Sequence, residues 1–323
     1  MSVYKCGSQG PEVGQIQQRL RDQGFYHGPI DGDFGGGTES ALKAFQRAQN
    51  LEVDGQVGPA TWEKFGIATP ASEPAIKSEP LNVRCLALTG SFETGAPPPD
   101  CFAGLSGDFD GQGISLGVCQ WNFGQGSLQP LLTEMIRTHE NIVNNIFHDY
   151  AEEFRRVISA SQQDQLAWTR SIQDPHHKIA EPWRGLLKTL ARCDEFQAIQ
   201  AASAGRMFKA AAALCHTYQV TSERALALMF DITVQNGSIN DVVKAQIVRD
   251  FALLQGTESA AALEVARLRI VANRRAAAGN SQWIEDIRTR KLTIANGEGV
   301  VHGRQYSLED QYGIKLTPFA SEI

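Results

Sequence analysis

Over most of its length this chain places its apolar residues in helical rhythm, and it abandons that rhythm in two stretches. Near the start, Gln15, Ile16 and Leu20 give one short amphipathic segment, and Ala41, Leu42, Phe45 and Ala48 give a second at the spacing of helix neighbours. Ile142, Val143, Ile146, Phe147, Tyr150, Phe154, Val157 and Ile158 then trace a single apolar stripe. Further helices are predicted near 183–192, 206–218, 221–235, 240–254, 259–278 and 282–295. Within them, Ala225-Leu226-Ala227-Leu228-Met229-Phe230 is apolar on every side, which predicts a helix buried at the centre of its domain. The first break, 69–80, is polar and spaced by prolines and reads as a semi-rigid linker. The second, 100–126, is Gly-rich with alternating polar and apolar positions, so a small β-hairpin or sheet belongs there. The predicted organisation is mainly α: a small three-helix domain over 1–68, the linker, and a larger α+β domain over 81–323.

Inside the first domain a thirteen-residue phrase occurs twice, 23 residues apart. Ile30-Asp31-Gly32-Asp33-Phe34-Gly35 leads to Thr38 and Leu42, and Val53-Asp54-Gly55-Gln56-Val57-Gly58 leads to Thr61 and Phe65. Each copy reads as a tight turn followed by a helix start: the Asp caps its own turn, glycine supplies positive φ, and the Thr can accept from the first free N–H groups of the helix. Over about residues 7 to 66 the chain closely resembles the peptidoglycan-binding domain of many wall hydrolases. The likeness is carried by Val13, Gln17, Leu20, Gly24, Phe25, Gly28, Ile30, Asp31, Gly32, Phe34, Gly35, Thr38, Ala41, Phe45, Gln46, Leu51, Asp54, Gly55, Gly58, Thr61 and Trp62. Taken singly, each of these positions is accounted for as turn chemistry or core, so the binding function rests on the resemblance.

The larger domain holds a candidate for chemistry. Leu86, Leu88 and Phe92 suggest an apolar helix that must stop at Gly95 and Pro97-Pro98-Pro99, which puts Glu93 in its last turn. An apolar setting and the negative end of the helix dipole would both favour the protonated carboxyl, as a general acid for glycosidic cleavage requires. An ordinary solvated Glu at a helix end fits the local sequence as well. Beyond it comes Asp110-Gly111-Gln112-Gly113-Ile114-Ser115. Together these residues resemble the lysozyme superfamily, most closely phage-type lysozymes and chitosanases, in which a helix-end Glu faces a small sheet bearing an Asp. The resemblance implies Glu93 as acid, Asp110 as base and Ser115 as the hydroxyl that orients water. Ser replaces the family's Thr, and Asp108 competes with Asp110 on the same strand face.

Gly117-Val118-Cys119-Gln120 is similar to the Gly-Leu-Met-Gln phrase of lytic transglycosylases, which need only the Glu. Gln120 and Trp121 are candidate sugar contacts, against an equal case for packing. Gln235 and Asn236, at the exit of the apolar helix, resemble a cleft-lining phrase of the chitosanases, although a helix C-cap explains them slightly better.

Composition narrows the partners. Net charge is −6, from 30 basic and 36 acidic residues, which argues against nucleic acid. Between Arg267 and Lys291 seven basic residues stand against Glu285 and Asp286, either as an attraction for an anionic polymer or as a solvated face with internal ion pairs. The six cysteines form no C-x-x-C pair and are expected as reduced, mostly buried thiols; no metal and no cofactor are expected. No apolar run approaches the roughly 18 residues of a membrane span, and Met1 to Gly7 lacks the pattern of a secretory signal. The expected protein is therefore a monomer made in the cytoplasm that acts on peptidoglycan after release, as an endolysin, or after export. The leading reading is a muramidase. A lytic transglycosylase, a chitosanase-like glycosidase and a non-catalytic wall-binding protein are the alternatives.

Overall fold

The computed structural model describes residues 4–66, 74–254 and 259–320. In chain order the helices begin with α1 (Pro11–Asp22), α2 (Gly36–Ala48), α3 (Pro59–Phe65) and α4 (Leu81–Thr94). A three-stranded antiparallel sheet follows, of β1 (Leu105–Ser106), β2 (Ser115–Leu116) and β3 (Trp121–Asn122) in that order. Then come α5 (Leu128–Thr138), α6 (Glu140–Phe147), α7 (Ala151–Ile158), α8 (Gln162–Ser171), α9 (Trp183–Arg192), α10 (Asp194–Ser203), α11 (Gly205–Tyr218) and α12 (Glu223–Asn236). After α13 (Asp241–Ala252), α14 (Ala260–Ala277) and α15 (Ile284–Asn296), a hairpin of β4 (Glu298–Val301) and β5 (Arg304–Ser307) precedes α16 (Leu308–Tyr312). The chain is thus mainly α with a small antiparallel sheet inside 100–126, as the pattern predicts. None of the described helices is long and apolar enough to cross a membrane.

Two compact units emerge: Met1–Glu73 with Pro99–Gln200, and Pro74–Pro98 with Ala201–Ile323. In the first, the two Asp-Gly turns are each plugged by a buried glutamine from the helix before them. Gln17 donates to Asp31 Oδ1 (2.7 Å) and to the Asp33 carbonyl (3.1 Å) while its Oε1 accepts from Gly32 N–H (2.9 Å). Gln46 repeats this with Asp54 Oδ1 (2.9 Å), the Gln56 carbonyl (2.9 Å) and Gly55 N–H (3.0 Å). Val13, Ile16, Leu20, Phe34, Leu42, Phe45 and Trp62 close the core beneath them. The first turn also meets α9. Arg192, buried, donates to Asp100 Oδ1 at 2.6 Å and reaches Asp33 Oδ1 at 3.4 Å, and Thr189 bonds to the Asp31 carbonyl.

The remainder of the first unit packs β2, β3 and α5 to α9 around Leu116, Phe123, Leu132, Phe147, Phe154 and Leu187. The apolar stripe predicted over 142–158 is two helices instead of one. A 3₁₀ turn at His148–Tyr150, with His148 at φ 45°, separates α6 from α7 and keeps the stripe facing the same core.

In the second unit α12 is buried as expected, Ala225 through Phe230 having almost no contact with water. It packs on α4, α11 and α15. Of the expected linker, 69–73 lie outside the described residues, whereas Ala75–Ser78 form a 3₁₀ turn with Ile76 buried. The β4–β5 hairpin has no counterpart among the predicted elements; Gly297, at φ 86°, turns the chain out of α15 into it.

Candidate active site

The α4 helix stops where the sequence predicts. Gly95 takes a left-handed φ of 66° and its N–H returns to the Ser91 carbonyl at 2.9 Å, leaving Glu93 in the final turn. The expected apolar setting is replaced by an ion cluster. Glu93 Oε1 accepts from Arg290 Nη1 at 2.5 Å, and its side chain is 46% exposed.

That arginine is otherwise buried and committed to Asp231. Its Nη2 lies 2.6 Å from Asp231 Oδ1, and its Nε lies 3.1 Å from both carboxylate oxygens. Lys291 Nζ approaches Oδ2 at 2.7 Å and Gln235 Oε1 at 2.8 Å, while Thr89 donates to Oδ1 at 3.1 Å. Phe92 lies under the guanidinium, 5.0 Å from Cζ to the ring centroid. Burial by itself would raise the Asp231 carboxyl, but Arg290 and Lys291 overcome it and hold the group well below the ordinary carboxylate range. Burial would lower Arg290 too, and the facing carboxylate reverses that and raises it. The cluster therefore carries fixed charges on two helices, with α4 presenting Glu93 to one free arm of the guanidinium.

In the other unit, the Asp110 turn is built on its neighbour. Asp108 is buried, accepting from Gly113 N–H at 2.8 Å and from Arg170 Nε at 3.0 Å. Burial would raise this carboxyl, but the Gly113 N–H and Arg170 outweigh it and lower it. Asp108 is thus engaged in holding the turn, whereas Asp110 is exposed, its Oδ1 accepting from Gln112 N–H at 3.1 Å. Ser115 begins β2, opposite Ser106 on one side and Asn122 on the other, on the face away from Leu105, Leu116 and Trp121.

The expected sugar contacts fare unevenly. Trp121 is 7% exposed and belongs to the core beneath β2, so its ring is no binding lip; this corrects the expectation, and the register that puts Trp121 beside Leu116 is the cause. Gln120, at φ 52°, spends its amide on the Gly117 carbonyl (2.9 Å) and accepts from Ser106 (2.6 Å). Gln235 belongs to the ion cluster. Asn236 ends α12, its carbonyl accepting from Arg275 at 3.5 Å.

The basic run between Arg267 and Lys291 is largely consumed internally. Arg274 pairs with Asp250 (2.5 Å), Arg269 with Asn296 (2.7 Å) and Arg288 with Glu285, while Arg267 covers Phe251. Arg290 and Lys291, counted there as surface charges, are the buried cations of the cluster. The signal that could have found them is Asp231 itself, a carboxylate on an otherwise apolar helix, which must bring a cation with it. Nothing local pointed to Arg170 as the partner of Asp108.

Residues 9–65 match the family described as "Putative peptidoglycan binding domain". Over 63 residues it is 45% identical to the spore cortex-lytic enzyme of Oceanobacillus iheyensis, covering 20% of this chain and 23% of that protein. It is 48% identical over 52 residues to the N-acetylmuramoyl-L-alanine amidase CwlM of Mycobacterium tuberculosis, covering 16% and 13%. The matched segment thus spans about a quarter or less of these relatives. Among solved structures, a chitosanase complex aligns over 70% of this chain and 95% of its own at 18% identity and a TM-score of 0.40. A native chitosanase from Bacillus subtilis aligns over 72% and 97% at 19% identity and a TM-score of 0.39. Similarity at that level says nothing of which side chains react.

Proposed function

We propose that the chain is a two-part enzyme that cleaves the glycan strand of peptidoglycan. The domain at 9–65 holds it on the wall and so raises the local concentration of substrate for a lysozyme-like glycosidase domain. The observation that carries this reading is the peptidoglycan-binding match over residues 9–65, in a chain that also sets a carboxyl group, Glu93, on a rigid buried support.

In the proposed reaction Glu93 is the general acid. With Oε1 accepting from Arg290, the proton rides on Oε2 and passes to the leaving glycosidic oxygen. Asp110 takes the proton of a water that Ser115 orients, and that water attacks the anomeric carbon from the opposite face. The bond is that between N-acetylmuramic acid and N-acetylglucosamine. The chain acts as a monomer on the wall, reaching it by release or export.

The test is digestion of isolated sacculi by wild type, Glu93→Gln and Asp110→Asn, followed by mass spectrometry. Reducing muramic acid ends from wild type and none from either variant are expected. Products ending in 1,6-anhydro sugar, with Asp110→Asn still active, would mean a lytic transglycosylase. Cleavage of chitosan in place of sacculi would mean a chitosanase-like enzyme. Wall binding without products would leave only a binding protein.

A further inference from the structure

Next to Asp110 the chain leaves a phenylalanine in water. Phe109 is 72% exposed, and its ring lies 5.1 Å from that of His177, centroid to centroid, with the planes inclined by 54°. A lone exposed apolar side chain is ordinary. This one stands on a frame that holds it there.

The residue before it, Asp108, is fixed from three directions, by Gly113, by Arg170 and by Gln173, whose Oε1 accepts the Asp108 N–H at 2.8 Å. Gly107 lies so close to the facing loop that a Cβ on it would sit 1.8 Å from the His177 carbonyl oxygen, so the two segments meet main chain to main chain. The facing loop is equally constrained. Asp174 Oδ1 accepts from the N–H groups of His176 (2.8 Å) and Lys178 (2.9 Å), and the His177 N–H donates to the Asp174 carbonyl at 2.9 Å. His177 itself takes φ 59°, the left-handed region that a residue with a Cβ seldom occupies without a reason.

At the His177 ring runs an open groove of about 340 Å³ lined by Arg170, Gln173, Asp174, Pro175 and His177. An aromatic face bordered by guanidinium, amide, carboxylate and imidazole groups matches a pyranose, which offers an apolar C–H face and a rim of hydroxyl donors and acceptors. Position selects the occupant: a glycan that reaches Asp110 passes the neighbouring side chain.

We propose that Phe109 and His177 form a sugar subsite on the Asp110 turn, with an N-acetylhexosamine ring of the glycan stacked on Phe109 and its polar groups bonded to Arg170, Gln173 and Asp174. The subsite rests on the reading of the chain as a glycan-cleaving enzyme. It gives the exposed ring, the left-handed histidine and the groove a common purpose.

The test is nuclear magnetic resonance on the whole chain in a Glu93→Gln background, titrated with an N-acetylglucosamine tetramer and with a peptide-free tetrasaccharide of the wall glycan. The His177 ring signals are assigned by His177→Gln. A saturable shift of those signals is expected, with affinity about tenfold lower in Phe109→Ala and recovered in Phe109→Trp. Exposure of Phe109 keeps these variants folded, and the wild-type titration needs no substitution at the subsite. Silence of the His177 signals at saturation or at millimolar saccharide, or wild-type affinity in Phe109→Ala, overturns the subsite. Sacculus cleavage by the chain without substitutions, run in parallel, separates the two readings: cleavage with a silent His177 sinks the subsite alone, and a His177 response without cleavage sinks the enzyme reading alone.

Discussion

Arg290 and Glu93 stand 197 residues apart in sequence and meet through a 2.5 Å hydrogen bond from Nη1 to Oε1. The rest of that guanidinium is taken up by Asp231, so its aim is set from behind by a carboxylate that water does not reach. A rigid donor of this kind holds the Glu93 carboxyl group by Oε1 and so fixes its orientation. Lysine in its place would keep the charge but lose the fork that binds two carboxylates at once. Arg290→Lys is expected to lower kcat on sacculi by on the order of 100-fold, the scale of an ångström of misplacement, with KM nearly unchanged. A parallel rise in KM with kcat intact would assign Arg290 to substrate binding.

Asp231 faces two buried cations, and its removal strands Lys291 and leaves Arg290 with Glu93 alone. Asp231→Asn leaves Lys291 without its buried counter-charge, and breaking a buried pair from one side costs about 3–5 kcal/mol. Urea unfolding of the variant is expected to show a loss of that order. A loss under about 1 kcal/mol would mean that water reaches the cluster and solvates it.

Acid should reverse the same interactions. The Asp231 and Asp108 carboxyls are both held below the ordinary range in the folded chain, by cations in one case and by an N–H and Arg170 in the other. Groups with depressed folded values add stability that is complete above their unfolded value, near 4, and is lost as pH falls through the folded value. Asp31 and Asp194, raised by burial, run in the opposite sense, their contribution being lost as pH rises. Unfolding free energy is therefore expected to drop steeply below about pH 4 in the wild type and less steeply in Asp231→Asn. Equal slopes would place the acid loss on other groups.

The difference between what the sequence discloses and what it hides follows the range of the interactions. Turn and cap chemistry is local: Asp31, Gly32 and Thr38, or the stop of α4 at Gly95, depend on residues within a few positions, and both are readable. Periodicity is nearly as local, which is why α9, α11, α12, α14 and α15 lie within a residue or two of their predicted bounds. The ion cluster is not local. Arg290 and Lys291 look like members of a basic helical face until Asp231, 59 and 60 positions earlier, is placed beside them. Trp121 misled for a related reason, since a two-residue strand has too short a pattern to reveal which face is buried. Phe109 carried no sequence signal at all, because its setting depends on the loop at 173–178.

The doubled Asp-Gly turn provides an internal comparison within one domain. Gln17 and Gln46 each donate to an Asp side chain and to a carbonyl two residues further on, and each accepts the N–H of the intervening Gly. Replacing either with leucine would leave the buried glycine N–H without its partner, at about 1–3 kcal/mol, while the Asp33 carbonyl keeps the Gly35 N–H and the Gln56 carbonyl keeps Thr61. The copies differ in surroundings, because the first turn is also covered by Thr189 and Arg192 of α9 while Asp54 and its neighbour Glu52 face outward. Gln46→Leu can therefore let water satisfy its turn, whereas Gln17→Leu cannot. Chemical denaturation of the whole chain is expected to show a larger loss for Gln17→Leu than for Gln46→Leu. Equal losses would mean that contact with α9 leaves the first turn as accessible to water as the second.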